Sequence, residues 1–254
     1  MFRRLRAFLK KRYVLARGVC TLKVETVGVK ARLCVENAFE FHKISSKDGE
    51  EPVLELFLKT IRPGDVVLDI GANIGLYTLS AALTGGRSAE VIAVEPVKAW
   101  YDQLCRNIKL NKLENVRAYC IGFADEDTVK EVNLKSIPGS GMGSVLCKYR
   151  EQIPAANLET SLVKLVKGDN FLAQQNIRHP NIMKIDVEGA ELQVLRGLKD
   201  SISRPECRCI FCEVHPKLLD EKTADLHRLL ENCGFKIEQL QRRGNEYHIL
   251  ARRQ

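Results

Sequence analysis

The chain has 254 residues, of which 45% are hydrophobic and 28% are charged, and this balance excludes a disordered or fibrous protein. No uncharged segment is apolar enough for a membrane span, and no apolar stretch of secretory-signal length follows the basic N-terminus. The nine cysteines are an odd number without the spacing of a disulfide framework, which favours a reducing compartment. We therefore expect a cytoplasmic globular protein.

The formal net charge of +8 arises at the N-terminus, because several basic residues and no acid precede Glu25 while the rest of the chain is electrically balanced. We predict a basic N-terminal arm over residues 1–20 and a single domain over residues 21–254. Apolar residues of the arm recur at helical spacing, so it is predicted either to dock on the domain or to lie peripherally on an anionic membrane surface. Nucleic acid is the weaker candidate partner, because the body carries no excess positive charge.

Alternating residues in the segment 21–45 predict short N-terminal strands, and residues 51–60 predict a helix that ends before Pro63-Gly64. From there, buried strands alternate with helices. The predicted strands are 66–70, 91–94, 116–121, 182–187, 209–214 and a closing hairpin of 235–240 and 247–251, and the predicted helices are 76–83, 97–111, 190–199 and 217–232. This order predicts a Rossmann-like α/β fold, with a mostly parallel sheet, helices on both faces and an antiparallel strand from the C-terminal hairpin.

Residues 122–180 interrupt this alternation. A loop rich in glycine and serine, 137–144, lies between strand-like segments at 129–134 and 162–166. Long insertions on α/β sheets commonly carry a lid or a substrate loop, so we predict a lid-like insertion that closes over the ligand.

The strongest site signal is a glycine-rich turn between the first buried strand and its helix. Gly71, Asn73 and Gly75 lack the third glycine of the dinucleotide fingerprint, and Asp69 before them would repel a pyrophosphate. Glu95 ends the next strand, where a carboxylate can bind both hydroxyls of a ribose. These residues favour S-adenosylmethionine over NAD as the cofactor, and the alternative is a tight turn without a ligand.

A second group of acids follows the predicted strand 182–187. Strand alternation directs Lys184, Asp186 and Glu188 to one side, at the carboxyl edge of the sheet, where ligands bind in open α/β folds. We predict that Asp186 and Glu188 orient the acceptor or the cationic end of the cofactor. The alternative for Glu188, and for Glu191 after it, is a stabilising position in the first turn of a helix.

His215 ends the strand 209–214 at the same edge. An imidazole with a pKa near ~6.5 can accept a proton at neutral pH, so we predict His215 as the general base, with capping or simple packing as the alternative. Cys209 and Cys212 precede it, but an extended strand points them to opposite faces, and we predict no metal site.

Together these segments resemble the FkbM family of S-adenosylmethionine-dependent methyltransferases. The resemblance is carried by residues 68–75 (LDIGANIG), by Glu95-Pro96 and above all by 184–191 (KIDVEGAE). It covers about residues 50–216, implies a seven-stranded methyltransferase sheet, and adds Glu51 to the expected cofactor-binding residues. The segment 167–172 departs from the family pattern, which leaves the role of Asp169 open.

Membership of this family implies methylation of a hydroxyl group on a sugar, a glycolipid or another small natural product, with a small molecule or glycan as the acceptor. Two other functions stay open. An RNA methyltransferase acting on a tRNA base would use the basic arm, but the chain lacks the proline-rich catalytic stretch of such enzymes after its fourth core strand. The other alternative is a non-catalytic ligand- or partner-binding protein on the same scaffold.

Overall fold

The computed structural model describes residues 18–24, 28–34, 51–135, 143–144, 158–219 and 222–253. Its strands are β1 (Val19–Val24), β2 (Val29–Cys34), β3 (Val66–Ile70), β4 (Glu90–Val94), β5 (Val116–Tyr119), β6 (Gly122–Ala124), β7 (Thr128–Lys135), β8 (Gly143–Ser144), β9 (Leu158–Lys167), β10 (Ile182–Ile185), β11 (Cys209–Val214), β12 (Phe235–Arg243) and β13 (Glu246–Arg253). Its helices are α1 (Glu51–Thr60), α2 (Leu76–Gly85), α3 (Lys98–Leu110), α4 (Gly168–Gln174), α5 (Glu191–Gly197), α6 (Lys199–Ser203) and α7 (Thr223–Asn232), and a 3₁₀ turn covers Gly86–Ser88. None of the helices in these described ranges has the length and hydropathy that a bilayer crossing requires.

A seven-stranded sheet in the order β12-β13-β11-β10-β3-β4-β5 forms the centre of the fold. The strands from β11 to β5 are parallel, and β13 runs antiparallel to both β11 and β12. Every residue of β3 and β10 is buried, as expected for parallel strands that are covered on both faces. The predicted mostly parallel sheet of seven strands, with an antiparallel strand from the C-terminal hairpin, is confirmed.

Successive residues of the central strands enter two hydrophobic cores on opposite faces of the sheet. Leu68 belongs to the core beneath α4 to α7, whereas Val67 belongs to the core beneath α1 and α2. In the second core, Phe57 of α1 meets Phe211 of β11 edge to face, with ring centroids 5.3 Å apart. Leu33 of β2 packs into the same core, so the antiparallel pair of β1 and β2 covers this face. Helices lie on both faces, as predicted.

The inserted segment contributes to a second, four-stranded sheet in the order β6-β9-β7-β8. The strand-like segments at 129–134 and 162–166 lie within β7 and β9, which pair antiparallel. Most of the loop 137–144 lies outside the described residues, as do residues 1–17 of the basic arm. The lid function of the insertion therefore stays a prediction.

The predicted helix 190–199 is divided at Leu198 into α5 and α6. The short helix α6 is held by Asp169, whose carboxylate accepts hydrogen bonds from the N–H groups of Asp200 and Ser201 at 2.8 and 3.0 Å. Asp169, whose role the sequence left open, therefore stabilises the start of a helix.

The predicted helix 217–232 begins only at Thr223. Leu218 and Leu219 instead donate their N–H groups to the carbonyl oxygen of His215, which closes a turn directly after β11. His215 is thus followed by a turn, and its side chain does not cap α7.

Gly197 of α5 lies so close to β6 that it leaves no room for a side chain. A Cβ atom built on Gly197 would lie 1.8 Å from the carbonyl oxygen of Ala124. We expect Gly197→Ala to destabilise the fold by about 3 kcal/mol or more, because backbone atoms must move to accommodate the methyl group.

The matched control is Gly64→Ala, where a Cβ atom meets open space and only the φ of +84° is unfavourable for alanine. Its expected cost is about 1 kcal/mol. Thermal or denaturant unfolding of both variants measures the difference, and equal losses of stability would contradict the steric argument.

Candidate active site

Four loops meet at the carboxyl edge of the sheet, where β3, β4, β10 and β11 end. They carry the glycine turn 71–75, Glu95, the acidic segment 186–191 and His215. Of the predicted site residues, Glu51 lies elsewhere in the chain, as the partly buried first residue of α1, and its cofactor contact stays a prediction.

Backbone contacts hold the glycine turn in place. The N–H group of Gly71 donates to the carbonyl oxygen of Val94 at 3.0 Å. Gly71 has a φ of +79°, and a Cβ atom on it would lie 1.9 Å from the carbonyl oxygen of Asp186. Gly75 has a φ of +99°, and its Cβ atom would lie 2.6 Å from the side chain of Leu104. Gly71 is therefore required by backbone packing within the protein and Gly75 by its left-handed backbone conformation, in addition to any approach of a ligand.

Glu95 contacts the turn from the adjacent strand end. Its Oε2 accepts the N–H of Asn73 at 2.8 Å, and its Oε1 accepts the N–H of Val97 at 2.9 Å. Glu95 is 3% exposed. Burial raises its pKa to about 7, against the opposing effect of these two N–H donors. Each carboxylate oxygen retains further acceptor capacity after these hydrogen bonds, so Glu95 both braces the turn and can still bind a donor.

Asp69 lies deeper than the sequence pattern predicts. It precedes the last residue of β3, is 2% exposed, and its Oδ2 accepts the hydroxyl of Thr78 at 2.5 Å. Burial raises the pKa of Asp69 to about 6, which the Thr78 hydroxyl and the charge of Lys184 oppose. Asp69 therefore places negative charge beneath the turn instead of presenting a carboxylate at the tip of the strand.

A buried ammonium group lies between the two groups of acids. Lys184 is opposite Asp69 in the register of β10 and β3 and is 1% exposed. Its Nζ lies 3.6 Å from Asp186 Oδ2 and 4.9 Å from the centre of the Tyr77 ring. The predicted proximity of Lys184 and Asp186 is present.

The position of Glu188 does not follow from the strand pattern that predicted it. β10 ends at Ile185, so strand alternation does not extend to Glu188, and the argument that aligned it with Lys184 and Asp186 is wrong. Glu188 instead adopts a φ of +49°, which is uncommon for a residue other than glycine and is a feature of turns and functional sites. Its role stays a prediction.

His215 is held by Glu191, the first residue of α5. His215 Nδ1 lies 2.5 Å from Glu191 Oε1, and the same oxygen accepts the N–H of Gly189 at 2.9 Å. Glu191 is fully buried, and its Oε2 has no hydrogen-bond partner in the described parts of the chain. This pairing occupies Nδ1 and leaves Nε2 as the nitrogen that can exchange a proton with a ligand. The sequence shows Glu191 at the start of a helix, but it does not show that His215 is its partner.

Donor atoms of Asp186, Glu213 and His215 lie within 4.8 Å of one another. Glu213 is 5% exposed, and His248, opposite it in the pairing of β11 with β13, approaches its Oε2 to 3.5 Å. Two carboxylates and an imidazole form a donor set of a kind that divalent cations accept. Because the Lys184 ammonium already brings positive charge to Asp186, we assign no metal to this cluster.

The surrounding carboxylates change the acid–base behaviour of His215. Burial lowers its pKa, but the hydrogen bond and charge of Glu191, together with the charges of Asp186 and Glu213, outweigh this effect and raise the pKa to about 9. Burial raises the pKa of Glu213, whereas the neighbouring His248 brings it well below its usual range. The expectation that His215 titrates near neutrality is therefore wrong, because its carboxylate neighbours favour the protonated imidazole.

A narrow, mainly apolar cleft opens beside the glycine turn. Its walls include Gly71, Pro96, Phe123 of β6 and Val187. The sequence did not predict this cleft, because β6 belongs to the second sheet and reaches the turn only in the folded chain.

Comparison with known proteins identifies related methyltransferases. A family model of the methyltransferase FkbM domain matches residues 69–237. The hexuronic acid methyltransferase AglP of Haloferax volcanii is 27% identical over 237 residues, which cover 91% of this chain and 88% of AglP. The 31-O-demethyl-FK506 methyltransferase FkbM of Streptomyces tacrolimicus is 28% identical over 220 residues, which cover 76% of this chain and 82% of that protein.

Among solved structures, the precorrin-6y C5,15-methyltransferase of Geobacter metallireducens superposes with a TM-score of 0.50 and 14% sequence identity, over 81% of this chain and 90% of that chain. At this identity the likeness concerns the fold alone. The match to the family model spans the glycine turn, the acidic segment and His215. The chain therefore belongs to the FkbM family of methyltransferases.

Proposed function

We propose that this methyltransferase uses S-adenosylmethionine and methylates a hydroxyl group of a sugar, a glycolipid or another small natural product. The observation that carries the proposal is the pair of buried carboxylates, Asp69 and Glu95, beside the glycine turn. Their hydrogen-bond partners are a hydroxyl group and backbone N–H groups, and burial raises both pKa values. Such a site favours a ligand that brings positive charge and hydroxyl donors, and it disfavours the pyrophosphate of NAD.

The residues present fit the parts of this cofactor. Glu95 would accept the ribose hydroxyls with its remaining acceptor positions, and Asp69 would attract the cationic methionine portion. The apolar cleft at Pro96 and Phe123 suits the adenine base. When bound, S-adenosylmethionine supplies an electrophilic methyl group on its sulfonium. Glu51 is a further candidate contact, from α1.

On the acceptor side, Asp186 and Glu188 would orient hydroxyl groups, and His215 would take the proton from the reacting one. Glu191 holds Nδ1 of the imidazole, so the proton arrives at Nε2. Because the nearby carboxylates keep His215 protonated in the free enzyme, only the fraction of molecules with a neutral imidazole can act as a base. Activity should therefore increase with pH.

The relatives support an oxygen of a sugar or natural product as the acceptor. AglP is named for a hexuronic acid, and the Streptomyces enzyme for the 31-O position of a demethylated FK506. The direct test is transfer of a radiolabelled methyl group from S-adenosylmethionine to a panel of hexuronic acid glycosides, neutral glycosides and RNA. Transfer to RNA alone, or cofactor binding without any transfer, would contradict the proposal.

The first variant tests the cofactor site. Glu95→Gln removes the charge that the ribose hydroxyls would meet, so we expect S-adenosylmethionine binding to weaken by about 1.5–3 kcal/mol in isothermal titration. The matched control is Glu90→Gln at the other end of β4, where the carboxylate pairs with Arg117. Unchanged affinity in Glu95→Gln, or NAD binding by the wild type, would refute this assignment.

The second variant tests the base. We expect His215→Ala to lower turnover by ~10²–10⁴-fold, the usual contribution of a general base, while cofactor affinity stays within a few-fold of wild type. His179→Ala, which removes an exposed imidazole, is the control. Steady-state kinetics measures the effect on turnover, and titration measures the effect on cofactor affinity. Near-normal turnover of His215→Ala would assign the role of general base to Asp186 or Glu188 instead.

The third variant tests the pairing of Glu191 with His215. For the wild type we expect kcat/KM to rise with pH, with an apparent pKa of about 9, because the base acts only when it is deprotonated. Glu191→Gln removes the charge that favours the imidazolium, so the rise should move to lower pH, toward ~6.5. NMR titration of the His215 ring provides a second readout that needs no acceptor. An unchanged profile would show that Glu191 does not set the pKa of His215.

A further inference from the structure

A second pocket, which is polar, lies at the opposite edge of the sheet, where β3 and β11 begin. Its charged lining residues are all basic: Lys59, Arg62, Arg208, Arg252 and Arg253. β13 runs antiparallel to β11, so the last residues of β13 reach this edge, and Arg252 is opposite Cys209. The pocket is thus separated from the candidate active site, which lies at the carboxyl ends of the same strands.

Two of the arginines are anchored before any ligand arrives. Arg208 donates to both oxygens of Asp65 at 2.9 and 2.7 Å, and Asp65 is 4% exposed. Arg253 donates to the backbone carbonyl oxygens of Cys207 and Cys233 at 2.9 and 2.7 Å. Because both guanidinium groups are already immobilised, ligand binding would cost little additional side-chain entropy at these positions.

The other cations leave the pocket with uncompensated charge. Within the described residues, the side chains of Arg62 and Arg252 form no ion pair or hydrogen bond. Lys59 approaches Glu55 only to 3.9 Å. Lys236 is opposite Arg252 in the register of β12 and β13 and adds a further cation on the same face. Like charges opposite one another destabilise a pair of strands, and a bound anion would relieve this repulsion.

We propose that this pocket binds a phosphate group, as a phosphomonoester or a diphosphate. The planar fork of arginine matches phosphate oxygens in a bidentate arrangement, and Arg62 and Arg252 have such forks available. A phosphate with a charge near −2 neutralises the excess of the pocket more fully than a carboxylate does. The proposed phosphate site is independent of the methyltransferase reaction, because it lies at the other edge of the sheet.

The test is titration of the full-length protein with inorganic pyrophosphate at constant ionic strength. We expect saturable binding that weakens by about tenfold for each of Arg62→Gln and Arg252→Gln, in line with the loss of a charge-assisted contact. The control is Arg87→Gln/Arg228→Gln, which removes two exposed arginines elsewhere on the surface. S-adenosylmethionine binding should be the same in all these proteins.

Vesicle binding distinguishes the two sources of the phosphate group. The wild type and Arg62→Gln/Arg252→Gln carry the same basic arm, so a difference between them in binding to phosphatidic acid vesicles, and not to phosphatidylcholine vesicles, identifies a lipid headgroup. Equal vesicle binding with unequal pyrophosphate binding identifies a soluble phosphate compound. Absence of pyrophosphate binding by the wild type, or equal pyrophosphate binding by the double variant, would overturn the proposal.

Discussion

The close approach of Gly71 to Asp186 sets the geometry of the candidate active site. β3 and β10 are neighbours, and the N–H of Asp186 donates to the carbonyl oxygen of Ile70 at 3.0 Å beside this contact. The turn after β3 therefore rests on the backbone of the loop after β10, without room for a methyl group between them. One loop belongs to the proposed cofactor site and the other to the proposed acceptor site. Backbone packing thus fixes the separation of the two loops, and methyl transfer requires such a fixed separation, because the reacting atoms must be held about 3 Å apart.

The partners of the carboxylates divide this edge into two electrostatic regions. At the glycine turn, Asp69 and Glu95 are hydrogen-bonded to neutral groups, and burial raises their pKa values. On the other side, Glu191 contacts the imidazole of His215, and Lys184 lies next to the same loop. The acceptor side therefore neutralises much of its negative charge with cations in direct contact, whereas at the turn the charge of Lys184 only opposes the raised pKa of Asp69. A cationic ligand is accordingly favoured at the turn, and a neutral or anionic one at the acceptor side.

Hydrophobic periodicity and the glycine turn were sufficient to predict the sheet. They also predicted that Asp186 and His215 lie at the same edge. Contacts that depend on the pairing of distant strands were not predictable in this way. His248 meets Glu213 because β13 pairs with β11, which no local pattern specifies. The raised pKa of His215 has a similar origin, since it depends on Asp186 and Glu191 of the segment after β10, which only the folded chain brings beside the end of β11. The alignment of Glu188 with Lys184 and Asp186 was wrongly derived, because a strand pattern was extended past the residue at which the strand ends.

The direction of the strands also explains why the two proposed sites carry opposite charge. Parallel strands bring their carboxyl ends to one edge, so the acids near the end of β3 and after β4 and β10 collect there. The amino ends of β3 and β11 lie at the other edge, preceded by Arg62 and Arg208. β13 is antiparallel, and for this reason its C-terminal Arg252 joins the arginines and not the acids. Reversal of this one strand would have placed Arg252 beside the carboxyl end of β11, where it would add positive charge next to His215 and the carboxylates of the proposed acceptor side.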